Sequence, residues 1–402
     1  FACQFAFVRF HARLDLCYRG GACRRVAHAR EKRKGDGKLH SFVRQLFGKW
    51  LKSFREHVTA NDRFNTGVPG LGFSPDGVIV TVVKGFVLVN LLMVFFAFMT
   101  WVERKLLGRF QVRYGPNRVG PYGLLQPIAD LGKLARKQSM IPEGSSRRLY
   151  LLAPFISLFC ALGAFGLMPL GGRAEIPGTG FHFHLYIADS SVGLLFVAAL
   201  GSLGFYGLLI GGWASGSKYA LLGGMRAIAQ LVSYEVAFTL AVIGVVIHTG
   251  SLSFIDIVQK QDHWVWFIVP QFLGFLVFAV SAVAESNRPP FDLTEADGEV
   301  VAGYNIEYGG LRWAMFANAE FINAITLSAL GATLFLGGPD GPVIPGPLWF
   351  LLKTGIFLFV FIWLRATLPR VRFDQLMQLG WKVLLPLATL NLVVTAAFVV
   401  YG

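Results

Sequence analysis

The sequence is short of charge and of cysteine, and each shortage excludes something. Only 15% of the 402 residues are charged, while 54% are hydrophobic. That balance is too apolar for an ordinary soluble domain and fits a chain that crosses a bilayer several times. Of four cysteines, Cys3, Cys17 and Cys23 lie near the start and Cys160 lies in an apolar run. Their spacing fits neither a zinc site nor an iron–sulfur ligand set, and no disulfide framework is indicated. No metal, flavin or iron–sulfur cluster is therefore expected on this chain. A Gly-rich dinucleotide fingerprint on a strand–helix unit is also missing, so the chain is not expected to bind a nicotinamide dinucleotide.

Acids are scarce and unevenly placed. Residues 76–402 carry eighteen Asp and Glu against twenty-two Lys and Arg. Six of those acids fall within residues 285–312: Glu285, Asp292, Glu295, Asp297, Glu299 and Glu307. So many carboxylates beside apolar spans point to proton or cation handling at a membrane face. A net charge of +14 normally points to nucleic acid or anionic lipid as a partner. Its distribution argues otherwise, because residues 1–75 hold fifteen Lys and Arg against five acids. No nucleic-acid partner is expected.

Two regions follow: a basic N-terminal extension, 1–75, and a membrane domain, 76–402. Within the extension, Leu39, Phe42, Val43, Leu46, Phe47, Trp50, Leu51 and Phe54 recur at the spacing of a basic amphipathic helix. It reads as a surface-lying helix, an Arg-rich targeting segment, or upstream sequence translated in error and absent from the mature protein. No methionine precedes Met93, which favours the last.

The membrane domain reads as all-α and polytopic. Eight apolar runs occur, near 77–102, 149–170, 189–212, 227–248, 264–284, 313–337, 348–367 and 380–401. Each is about 20 residues or more, enough to cross about 30 Å of hydrocarbon as a helix. Trp213, Trp264, Trp266 and Trp349 fall near span ends, as an interfacial belt requires. With eight spans, loops 103–148, 213–225, 285–312 and 368–380 share one side and hold fifteen Lys and Arg. The opposite loops hold two, Arg173 and Lys260. The first set is therefore expected on the inside face. In the first inside loop, Leu124, Leu125, Ile128, Leu131 and Leu134 beside Asp130, Lys133 and Lys137 predict an interfacial amphipathic helix.

Glu235 and Glu320 are expected about 13 Å and about 10 Å deep in their spans at helical rise. Intramembrane carboxylates are costly and point to function, with hydrogen-bonded neutral glutamic acids as the plainer reading. Glu295 and Glu299, four apart, would repel each other on one helical face if both were ionised. They read as charge-handling groups, as a solvated acidic surface that docks basic partners, or as both together.

Three stretches carry a resemblance: ERKLLGRFQVRYGPNRVGPYGLLQPIAD at 103–130, SYEV at 233–236, and AESNRPPFDLTEADGEVVAGYNIEY at 284–308. Together with LPRVRFDQLMQLGWKVLLPLATLN at 368–391, they resemble the NuoH family, a membrane subunit of respiratory complex I, NADH-quinone oxidoreductase. The resemblance spans about 77–402 and not 1–75. It implies a subunit of a translocase enzyme with no complete active site of its own, in a bacterial inner membrane or, alternatively, the mitochondrial one. Its substrate would be a quinone, ubiquinone or menaquinone. Its partners would be the lipid bilayer and other complex I subunits, including peripheral-arm quinone-site subunits and antiporter-like membrane subunits.

Residue by residue, the resemblance implies a quinone channel lined or supported by Arg104, Gln111, Arg113 and Asp130. Arg365, Arg370 and Arg372 would stabilise a charged junction or simply anchor the topology. Glu235, Glu285 and Glu320 would form the proton path, and Asp292, Glu295, Asp297, Glu299 and Glu307 the junction acids. Two departures stand out. Gln138 follows Lys137 where the family usually has Glu, and Asp297 is the middle acid of a triplet that is usually all Glu. A related reading is the membrane subunit of an energy-converting hydrogenase or formate-hydrogenlyase complex, which couples without quinone. A stand-alone proton-coupled transporter would predict inverted repeats, which 77–248 and 264–402 do not display. A purely structural anchor leaves Glu235 and Glu320 without a role.

Overall fold

Helices stand at all eight places where apolar runs predict them. The computed structural model describes residues 72–73, 78–171, 173–175, 182–262, 266–293, 303–341 and 345–401. The amphipathic stretch 39–58 and the acids Glu295, Asp297 and Glu299 lie outside them.

Helix α1, Val78–Phe110, runs eight residues past the expected end of its apolar run. It stops where Val112 adopts φ of 56° and Gly115-Pro116 follows. Next comes the amphipathic α2, Gln126–Arg136, with no buried residue of its own. Then follow α3 (Arg147–Gly166), α4 (Gly193–Ala214), α5 (Lys218–Thr249) and the short α6 (Phe254–Asp262). The C-terminal half holds α7 (Phe272–Glu285), α8 (Leu311–Phe335), α9 (Gly346–Thr367), α10 (Phe373–Gln378) and α11 (Leu385–Tyr401). A π-turn at Leu379–Leu384 joins α10 to α11. Two short antiparallel ladders complete the described residues: β1 (Gly72–Phe73) with β4 (Ala188–Asp189), and β2 (Arg173–Glu175) with β3 (His182–His184).

Among the described residues, six helical stretches are long and apolar enough to cross a bilayer, namely α1, α3, α4, α5, α9 and the continuous α10–α11 unit. The chain is a polytopic helical membrane protein. α7 has only 14 residues, about 21 Å of rise and less than the hydrocarbon thickness. The expected span 264–284 begins late because residues 267–271 form turns around Pro270, whose ring nitrogen has no hydrogen to donate to a helix. α8 has 25 residues but carries Arg312, Asn318, Glu320 and Asn323. That polarity keeps it outside the six.

The core forms where α5 packs on α4, α7 and α11, α3 on α4 and α8, and α8 on α9. Tyr234, Phe278, Leu330 and Phe335 are among its buried side chains. Polar side chains add specific ties. Asn391 donates to Gln271 Oε1 at 3.0 Å, and Gln271 donates to Thr395 Oγ1 at 2.7 Å, which joins α11 to the start of α7. Buried Lys353 of α9 donates to the carbonyls of Leu336, Gly338 and Asp340 at 2.6, 2.9 and 2.6 Å. A cation at the carboxyl end of α8 meets the negative end of its dipole there. α5 ends at Gly250, whose φ of 70° gives the left-handed cap that glycine adopts without strain.

Candidate functional site

The end of α1 supplies the first charged group. Glu103 is 5% exposed, and its Oε1 accepts from Arg288 Nη1 at 2.9 Å and also from Arg365 on α9. The Arg288 guanidinium lies 3.9 Å from the centre of the Phe321 ring on α8. One carboxylate thus ties three separate parts of the chain together, and an aromatic face covers one of its two cationic partners. Beside it, Arg104 Nη1 lies 2.5 Å from Asp130 Oδ2 on α2, and Gln126 holds the other Asp130 oxygen at 3.0 Å. This second pair is far more open to solvent.

Both pairs border a cavity of about 420 Å³. Its apolar wall includes Met93, Phe96, Leu107, Ile128 and Leu131 from α1 and α2. Asp292, Trp313, Asn318, Glu320 and Phe321 also line the cavity, and the Glu103 ion-pair cluster brings Arg288 and Arg365 to it beside Asn287. A mostly apolar chamber of this volume with a few convergent polar groups suits a small, largely apolar ligand with a polar end.

A second, smaller cavity of about 50 Å³ lies between α3, α4, α8 and the end of α7. Glu285 lines it, as do Ser157, Cys160 and Gly201. Glu320 and Asn287 line both cavities. Among the described residues, Glu285 Oε2 and Asn287 Oδ1 are buried without a hydrogen-bond partner. Two unsatisfied acceptors beside a cavity of this size are what a buried water satisfies. Glu235, on α5, interacts electrostatically with Glu285 and accepts a hydrogen bond from Ser202 of α4.

Comparison with known proteins identifies the family. The family model described as NADH dehydrogenase matches residues 83–396. The H-type subunit of NADH-quinone oxidoreductase from Thermomicrobium roseum is 49% identical over 334 residues, covering 81% of this chain and 97% of that protein. One of the H-type subunits of NADH-quinone oxidoreductase from Geobacter sulfurreducens is 50% identical over 299 residues, 74% of this chain and 90% of its own length. The corresponding protein of Deinococcus radiodurans is 47% identical over 337 residues, 80% and 84% of the two chains. The chain belongs to the NuoH family of NADH-quinone oxidoreductase subunits.

Within that family frame, the residues singled out from sequence fall into groups. Arg104, Asp130, Asp292, Glu320 and Arg365 border the large cavity, and Glu285 and Glu320 the small one. Glu235 borders neither and connects through Glu285 and Ser202. Gln111 and Arg113 sit in the exposed turn after α1, and Arg370 and Arg372 in the exposed segment before α10. Arg372 pairs with Asp374 at 3.1 Å. Half-buried Glu307 accepts from Tyr150 Oη through its backbone carbonyl at 2.6 Å. That contact belongs to an aromatic layer in which Tyr150 and Tyr308 stack at 4.2 Å. Burial in this layer raises the pKa of the Tyr308 phenol, so it stays neutral.

Sequence reading missed Glu103, Arg288 and Asn287 as site residues. Glu103 had a signal, an acid opening a loop that is otherwise mainly basic. Arg288 had one as well, being one of only two cations in the acid-rich stretch 285–312. Asn287 had none, because its place at both cavities comes from a backbone turn at φ 50°.

Proposed function

We propose that this chain is the membrane subunit of a proton-pumping NADH:quinone oxidoreductase that houses the quinone channel and passes protons onward through buried glutamates. It would cross the bacterial inner membrane eight times, α7 and α8 included, with α2 lying in the interface. Residues 76–402 form its membrane domain. A quinone, ubiquinone or menaquinone, would enter the large cavity with its ring toward the Glu103 ion-pair cluster and its tail along the apolar wall. Arg104 and Asp130 guard the seam between α1 and α2, and the exposed Gln111 and Arg113 extend that rim. Reduction of the ring draws protons and changes local charge, which shifts the equilibrium of nearby carboxylates.

The observation that carries this reading is the shared lining. Glu320 touches both the chamber that suits the ligand and the small cavity where Glu285 waits, and Glu285 is electrostatically linked to Glu235. That order supports a proton route Glu320, Glu285, Glu235, leading toward antiporter-like membrane subunits. Arg370, Arg372 and the acids Asp292, Glu295, Asp297, Glu299 and Glu307 would face the peripheral-arm subunits at the junction. Flavin and iron–sulfur clusters would reside on those partners. The test replaces Glu235 and Glu320 together by Gln in the assembled complex. Intact assembly with reduced quinone reduction and proton pumping is expected. Unchanged pumping would remove the glutamates from the route.

A further inference from the structure

Residues 286–291 are almost wholly buried and follow no regular helix: Ser286, Asn287, Arg288 and Phe291 are each 9% exposed or less. Buried irregular backbone persists only where the protein satisfies its polar groups. This segment must also be held accurately, since it sets Glu285 and Asn287 at the small cavity and Asn287 and Arg288 at the large one. Glu103 of α1 holds the Arg288 side chain and Val371 N–H donates to the carbonyl of Pro290 at 3.1 Å, while one further side chain from another helix grips the backbone at both ends of the segment. Gln230 of α5 is 0% exposed, and its Nε2 donates to the carbonyl of Ala284 at 2.9 Å and to that of Phe291 at 2.8 Å. Those two carbonyls bracket the segment on either side. Because both neighbours are acceptors, only the amide nitrogen can face them, which fixes the side-chain orientation.

Two further observations agree. Gln230 Oε1 has no partner among the described residues, so both donors are committed while the acceptor goes unused. One helical turn along, Tyr234 places its ring 5.8 Å from the Phe291 ring and donates to the carbonyl of Leu376 at 3.0 Å. The face of α5 that holds the segment is thus fixed in turn to α10. Glu235 sits next to that anchor on the same helix.

We propose that Gln230 is a positioning residue: by bracketing residues 285–290 it keeps Glu285 at the small cavity and Arg288 at the large one. The proposal rests on the reading of the two cavities given above. Gln230 itself takes up no proton and touches no substrate. It differs from a packing residue because its contribution lies in two donors aimed at two specific carbonyls.

The test uses the assembled complex carrying Gln230→Met, which keeps the volume and removes both donors. Hydrogen exchange is followed on a peptide spanning residues 284–293, alongside quinone reduction per assembled complex. Exchange in that peptide is expected to accelerate by about tenfold or more, with neighbouring α5 peptides unchanged. The quinone KM is expected to rise by about threefold or more, with kcat falling as well. Unchanged exchange overturns the proposal, whatever happens to turnover. Should Gln230→Met fail to assemble, Gln230→Glu, which keeps shape and polarity with one donor at most, carries the same expectation. Failure of both to assemble would make Gln230 a folding residue and overturn the proposal. Glu320→Gln is measured in parallel. No effect there, with fast exchange in Gln230→Met, would sink the proton route and leave the positioning role standing.

Discussion

Arg288 Nη1 lies 2.9 Å from Glu103 Oε1, and Arg365 donates to the same oxygen. Glu103 and Arg288 are 185 residues apart in sequence, and their side chains are only 6% and 10% exposed. Removing one partner of a buried pair leaves the other charge uncompensated, at a cost of about 3–5 kcal/mol. Glu103→Gln is therefore expected to lower the thermal midpoint of the assembled complex markedly. Pairing it with Arg288→Met should recover part of the loss. A double-mutant cycle on thermal stability checks this, and strict additivity would contradict the coupling.

The Arg104–Asp130 pair is the opposite case. Its side chains are 55% and 29% exposed, so Asp130→Asn should change stability by no more than about 1 kcal/mol. Its place at the cavity rim predicts a kinetic effect instead, with the KM for quinone raised by about threefold or more. Steady-state kinetics with a thermal melt on the same preparation separates the two. A large drop in stability with an unchanged KM would make the pair structural.

Two glycines give a steric contrast. A Cβ on Gly223 of α5 would stand 2.5 Å from the carbonyl carbon of Gly303, a backbone atom that cannot swing aside. Gly223→Ala should destabilise the complex by about 1–3 kcal/mol through overpacking. A Cβ on Gly201 of α4 would meet Glu285 Oε1 at 3.8 Å, an ordinary contact. Gly201→Ala should therefore assemble normally and melt within about 0.5 kcal/mol of the parent. Melting curves of both variants check the pair. Equal destabilisation would mean that α5 does not approach Gly303 this closely.

The positions of the long apolar helices and of the amphipathic α2 were legible in the sequence because both depend on the local pattern of apolar residues. Where periodicity met a backbone rule, the boundaries moved: Pro270 delayed α7, and α1 ran on through Glu103 until Val112. Glu235, Glu285 and Glu320 could be picked out because a carboxylate in an apolar run is conspicuous by itself. Gln230 and Asn287 could not. Their contacts are with carbonyls and cavities supplied by distant segments, and neither residue type is unusual where it stands. Glu103 was visible only as one more charge at a span end, since its arginine partners come from residues 288 and 365.

The most direct measurement replaces Glu285, the carboxylate between Glu320 and Glu235, by Gln and reconstitutes the whole complex in sealed vesicles. Gln keeps the size of the side chain and removes its ability to carry a proton. Quinone reduction and proton uptake are followed together, against complex content. The account predicts normal assembly with both rates reduced by about a hundredfold, the scale on which a positioned proton-transfer group acts. Assembly, quinone reduction and proton pumping all at parental rates would contradict it.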